Sequence, residues 1–204
     1  MFDRITPTNR AIILANVGVF LLQLLLQQSS ALDLFALFPL QTSLFRPWQL
    51  LTYGFMHGSW LHLFFNMFAV FMFGSQVEHL FGAKRYLIYY LSCVVGAALM
   101  HLIVIYFARD LPLAPTVGAS GAVFGLLLAF GMYFPQQRIM LLFPPIAMPA
   151  WVAVTGYAAL ELFLGVTGTQ AGVAHFAHLG GMLGAFLMIQ WRRGKPPFFP
   201  RRRR

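Results

Sequence analysis

Gly118-Ala119-Ser120-Gly121-Ala122-Val123-Phe124-Gly125-Leu126-Leu127-Leu128-Ala129-Phe130, closed by Phe134-Pro135, is the stretch on which the reading of this chain turns. It is an apolar helix opened by a serine held between glycines. Counted back from Phe134, Ser120 stands 14 residues up the helix, about 21 Å at 1.5 Å per residue. A membrane's hydrocarbon core is about 30 Å thick, so a helix of this length stops short of one face. The segment before it, Arg109–Ala119, then has to dip into the protein. Irregular backbone at such a depth is tolerated only where it lines a water-filled cavity. The stretch therefore predicts a hydroxyl below a membrane surface, next to water.

Composition agrees with a membrane setting. Of the 204 residues 59% are hydrophobic and only 9% charged, and mean hydropathy is +0.73; a soluble globular domain is far more charged than this. Six segments are long and apolar enough to be spans: Ala11–Gln27, Gly58–Gln76, Tyr86–Ala108, Ser120–Phe134, Met148–Val166 and Ala174–Trp191. The first of them reads as an uncleaved anchor. Between the first two, Ser29–His57 is rich in Leu, Phe and Trp but broken by Pro39 and Pro47. Such a piece cannot span, and Trp48, Tyr53 and Trp60 suit a loop lying in the outer interface. The single cysteine, Cys93, allows no internal disulfide and no metal-thiolate cluster.

Charge orients the bundle. Arg4, Arg10, Lys84, Arg85, Arg138, Arg192, Arg193, Lys195 and Arg201 to Arg204 fall on one side, 12 of the 14 basic residues, leaving Arg46 and Arg109 on the other. Positive charge marks the cytoplasmic face, so both termini are expected there. The net charge of +9 thus reports topology. Nucleic-acid binding is the weaker reading, because no basic-aromatic module accompanies these residues. Residues 1–191 are expected to form a single six-helix membrane domain and 192–204 a basic cytoplasmic tail able to touch anionic lipid.

Several polar residues share one depth. His178 is 13 residues above Trp191 and His62 is 14 above Gln76, about 20 Å and 21 Å, level with Ser120. His62 and Asn66, spaced i, i+4, point the same way from the second span. His175 and His178 are spaced i, i+3, and spacing alone does not choose between them as a base. Small neighbours at Ala177, Gly180 and Gly181 let the helix of Ser120 approach His178, whereas His175 is expected nearer the aqueous end and solvated. Gly121, Gly125, Gly181 and Ala185 also fit plain close packing. Glycines beside a nucleophile add something else, since they let N–H groups approach a carbonyl while the helix N-terminus offers positive dipole to an oxyanion. His57 reads as a cavity or interface residue preceding its helix, and His79 and His101 as structural polar groups.

These residues, taken in order, resemble the rhomboid intramembrane serine proteases. The matching features are Phe45-Arg46-Pro47-Trp48, His57-Gly58-Ser59-Trp60-Leu61-His62-Leu63-Phe64-Phe65-Asn66, the glycines and acid of Gly74-xxx-Glu78-xxx-Gly82, Gly118-Ala119-Ser120-Gly121 and Ala177-His178-Leu179-Gly180-Gly181. The family motif before the second span is often Trp-Arg, where this chain has Phe45-Arg46. What the resemblance implies is an all-α polytopic membrane protein with a six-transmembrane-helix bundle and an interfacial loop between helices 1 and 2. It further implies hydrolysis of peptide bonds in or beside the transmembrane segments of substrates by a Ser–His dyad, without cofactor or metal. Carried onto this chain, Ser120 is the nucleophile and His178 the base. His62, Asn66 and the Ser120 N–H form the oxyanion site. His57, Gly118, Gly121, Glu78, Gly181 and Arg46 are supporting residues, structural or cavity-lining. A bacterial cytoplasmic membrane is the expected location.

Glu161 lies about 20 Å up the fifth span by the same helix arithmetic and could orient His178 as a third acid does. The dyad resemblance points instead to a neutral or water-facing carboxyl that tolerates replacement by Gln. Two other functions compete with proteolysis: an inactive rhomboid-like protein that binds transmembrane helices, and a haem-binding bundle using His101 and His178. A membrane metalloprotease lacks its motif here, because H-E-x-x-H does not occur.

Overall fold

The computed structural model describes residues 5–26, 34–107, 113–140, 145–168 and 174–193. Six long helices carry the fold: α1 (Pro7–Leu25), α3 (Trp60–Phe81), α4 (Ala83–Phe107), α5 (Ser120–Tyr133), α6 (Ala150–Thr167) and α7 (His175–Arg192). A four-residue helix, α2 (Gln49–Thr52), lies in the long connection before α3, and a two-stranded hairpin, β1 (Arg138–Met140) with β2 (Ala147–Pro149), joins α5 to α6. The chain is an all-α membrane bundle. α1, α3, α4 and α6 are each long and apolar enough to cross a bilayer. α5, at 14 residues, spans only about 21 Å, while α7 has 18 residues but is less apolar. Outward faces carry Leu14, Leu25, Phe163 and Val166 in the open, as lipid-facing surfaces do.

Local chemistry sets the ends of these helices. Ser59 caps α3 by accepting the His62 N–H at 3.1 Å. At the other end Gly82, with φ 77°, is the single residue between α3 and α4. α1 starts with Pro7, and its first N–H groups are capped from α3. The Glu78 carboxylate accepts from Thr6 Oγ1 at 2.5 Å, Asn9 N at 2.8 Å and Thr8 N at 3.2 Å. The fifth span differs from expectation at its start, because Ala147–Pro149 is a strand and the helix begins at Ala150. Pro149 offers no N–H and pushes Met148 toward extended backbone, so a helix cannot extend back through them.

α4, α5 and α7 form the centre. Tyr86, Tyr89 and Tyr90 of α4 are fully buried. Tyr89 donates its hydroxyl to the Gly125 carbonyl at 2.6 Å, and Tyr53 donates to that of Val94 at 2.8 Å, so Tyr89 and Tyr53 enter the core with their polar ends satisfied. α7 is wedged between its neighbours through glycine. Gly180 and Gly184 lie against Gly96 on α4, and Gly181 lies against Gly121 on α5.

The connection between α1 and α3 leaves Trp48 exposed, as an interfacial loop does, and Trp60 at the start of α3 is exposed beside it, whereas Tyr53, expected with them, is buried. Buried Gln49 ties this loop together, accepting from Phe38 N and donating to the Leu34 and Leu44 carbonyls. Leu37 and Thr116 exchange both backbone hydrogen bonds at 3.0 and 2.9 Å. The α1–α3 loop is thereby fastened to the segment that leads into Ser120.

Candidate active site

Ser120 is the first residue of α5. By helix geometry its N–H and that of Gly121 have no acceptor within the helix and lie at the positive end of its dipole. The preceding Gly118 has φ 133°, and its N–H donates to the Tyr53 carbonyl at 3.0 Å. A Cβ at this glycine would stand 2.8 Å from His62 Nε2 and 3.8 Å from Ser120 Oγ. The missing side chain is what keeps these two groups in line of sight.

α7 brings the base. His178 Nε2 lies 2.8 Å from Ser120 Oγ, and the imidazole stacks on Phe124 with centroids 4.4 Å apart and planes 7° from parallel. Phe124 follows Ser120 by one helical turn, so α5 supplies both the hydroxyl and the ring against which the imidazole rests. Sequence reasoning overlooked Phe124, although its i+4 spacing from Ser120 was the signal. Ser120, His62, Gly118, Gly121 and His178 all line one cavity of about 500 Å³.

His62 Nδ1 accepts the Gly58 N–H at 3.4 Å. That contact places the ring proton on Nε2, which faces Gly118 and Ser120. Asn66 is buried and gives one amide N–H to the His62 carbonyl at 2.8 Å. His57 sits beside His62 with ring centroids 5.1 Å apart, and burial, with His62 close by, pushes its imidazole down to about 4. Two of the supporting residues lie elsewhere: Glu78 caps α1 at the far end of α3, and exposed Arg46 donates to the Ser43 and Phe45 carbonyls of its own loop. His101 Nε2 lies 2.7 Å from the Thr116 hydroxyl, as a structural polar group should.

Two expectations are overturned. His175 is buried, not solvated, and Glu161 is buried, not water-facing. Glu161 Oε2 lies 2.7 Å from His175 Nδ1 and 2.9 Å from His178 Nδ1. A carboxylate in a membrane helix is costly without partners, and α6 turns this one inward to meet both imidazoles of α7. Rotation of α6 about its axis is not readable from hydropathy, so the sequence left the contact with His178 as one alternative and gave no sign of that with His175.

The helical membrane bundle thus sets a serine against a histidine in the wall of one cavity. The rhomboid domain family matches residues 44–193, and the chain belongs to the rhomboid family. It is 32% identical over 152 residues to Rhomboid protein 1, mitochondrial, of Saccharomyces cerevisiae, covering 74% of this chain and 43% of that protein. Rhomboid-like protein 11, chloroplastic, of Arabidopsis thaliana is 31% identical over 211 residues, 96% of this chain and 70% of the relative. The putative rhomboid protease YdcA of Bacillus subtilis is 30% identical over 146 residues, 69% of this chain and 65% of the relative. The chain thus spans less than half of the yeast relative's length.

Proposed function

We propose that this chain is an intramembrane serine endopeptidase that cleaves transmembrane segments of membrane proteins near the outer face of the bilayer. The observation that carries the reading is the 2.8 Å contact between Ser120 Oγ and His178 Nε2 inside the cavity. His178 takes the Ser120 proton as Oγ attacks the scissile carbonyl. The oxyanion that forms is met by the Ser120 N–H, by Nε2–H of His62 and by the second amide hydrogen of Asn66. His178 then gives its proton to the leaving amine, and water from the cavity hydrolyses the acyl-enzyme by the same path reversed. A helical substrate has its carbonyls occupied by amides four residues on, so the segment to be cut has to unwind first.

The same reading makes residues 1–191 one membrane domain and 192–204 a basic tail, with both termini in the cytoplasm of a bacterium. The excess of Lys and Arg on one side of the bundle supports this orientation. Cleavage of a single-span reporter in proteoliposomes tests the activity, together with labelling by a serine-directed fluorophosphonate. Wild type should cut and label, while Ser120→Ala and His178→Ala should do neither although both fold. Cleavage that persists in Ser120→Ala would sink the reading. A wild type that binds the reporter without cutting it would leave a helix-binding protein instead.

A further inference from the structure

We propose that Glu161 is a positioning residue for His178, and that His175 holds Glu161 in place, so that this chain works with a Ser–His–Glu relay. The proposal rests on the reading of Ser120 and His178 as nucleophile and base. One carboxylate oxygen, Oε2 of Glu161, lies 2.7 Å from His175 Nδ1 and 2.9 Å from His178 Nδ1, while the opposite nitrogen of His178 contacts Ser120 Oγ at 2.8 Å. An imidazole whose Nε2 is to accept the serine proton must carry its own proton on Nδ1. That Nδ1 is buried and makes no well-aligned hydrogen bond among the described residues. Glu161 Oε2 is within reach but off the axis of the N–H. Catalytic hydrogen bonds are commonly misaligned before substrate binds and tighten in the complex.

Each partner does a separate job. The carboxylate favours the Nδ1–H tautomer, and it stabilises the imidazolium formed when the proton leaves Ser120. No proton passes to Glu161; the serine proton stays on His178 Nε2 until the leaving amine takes it. His175, bonded to the same oxygen at 2.7 Å, fixes where the carboxylate sits. α6 and α7 are consecutive in the chain, and this buried cluster joins them. A metal ion is the competing explanation, since one ligand atom from each of Glu161, His175 and His178 fall within 4.8 Å of one another. Ligands around a tetrahedral zinc stand about 3.3 Å apart, given bonds of about 2.0–2.1 Å. The 2.7 Å between Glu161 and His175 is instead that of a charge-assisted hydrogen bond, and the 2.9 Å to His178 Nδ1 is also too short for two ligands of one zinc.

The test compares Glu161→Gln, Glu161→Asp, His175→Ala and the double variant Glu161→Gln/His175→Ala with wild type and Ser120→Ala, in proteoliposomes with the single-span reporter. An amide can turn its NH2 toward Nδ1 and reverse the tautomer, a change that costs about 10⁴ in kcat where a serine protease depends on its acid. Glu161→Gln should lose at least 100-fold in kcat with KM unchanged, and Glu161→Asp should recover part of it. His175→Ala should lose less than Glu161→Gln, and the double variant should be no slower than Glu161→Gln alone, because His175 acts through the carboxylate. On the whole protein in micelles with ¹⁵N-labelled histidine, a downfield Nδ1 proton lost in His178→Ala should survive in Ser120→Ala and vanish in Glu161→Gln. Glu161→Gln within threefold of wild type, with Ser120→Ala inactive, overturns the proposal and leaves the serine–histidine reading standing. If the Gln variant does not fold, absence of that proton from wild type overturns it equally. Loss of wild-type activity on chelation, restored by zinc, overturns it in favour of a metal. Activity in Ser120→Ala removes the underlying reading itself.

Discussion

Gly181→Ala measures how closely α5 and α7 must approach for Ser120 to reach His178. An added Cβ would stand 2.9 Å from Gly121 Cα, and its carbonyl is closer still, against ordinary contacts of 3.4–4 Å. α7 cannot retreat toward α4, because Gly180 and Gly184 already lie against Gly96 there. The two helices therefore have to part by about 1 Å, at a packing cost of about 1–3 kcal/mol, partly offset by the roughly 1 kcal/mol that alanine gains over glycine inside a helix. Gly121 is next to Ser120, and Gly181 lies one turn past His178. The gap of 2.8 Å should then open to about 3.8 Å, beyond a hydrogen bond. A misplacement of about 1 Å at a reacting group costs about 10²-fold. Single-turnover cleavage in proteoliposomes should show kcat about 100-fold lower, with thermal stability in detergent reduced by no more than about 2 kcal/mol. Gly156→Ala, where nothing stands within 4 Å, is the control and should keep the wild-type rate. A Gly181→Ala enzyme within threefold of wild type would refute the argument that this contact sets the serine–histidine distance.

Glu78→Gln should leave kcat unchanged and lower stability by about 2 kcal/mol, since an amide cannot accept all the donors at the start of α1 through charged oxygens; an unchanged unfolding midpoint would count against that capping role. His57 gives a pH signature. Its imidazole sits at about 4 in the fold against an ordinary 6.5, so the unfolded chain takes up the proton first and stability falls as pH drops from about 6.5 toward 4, by about 2 kcal/mol at pH 5 relative to pH 8. His57→Phe should remove that loss, and wild-type and variant stability curves that run parallel from pH 8 to pH 5 would contradict it.

Much of the fold was legible because membrane burial is written in local composition. The six apolar stretches, the short helix starting at Ser120 and the loop with Trp48 and Trp60 follow from hydropathy and helix length alone, whatever their neighbours. Depth was legible too, since a rise of 1.5 Å per residue puts Ser120, His62, His178 and Glu161 at one level before any packing is known. What hydropathy leaves open is the rotation of each helix about its own axis and the partner it meets. Apolar on all sides, these helices carry no hydrophobic stripe to fix a facing. Interlocking glycines at Gly96, Gly121, Gly180 and Gly181 decide it, and they turn His178 toward Ser120 and His175 toward Glu161. The Leu37–Thr116 bridge, the Phe124 stack and the inward turn of Glu161 belong to the same class. Each joins residues far apart in the chain, so the sequence by itself determined the level at which these groups sit, and only the tertiary packing decided which of them touch.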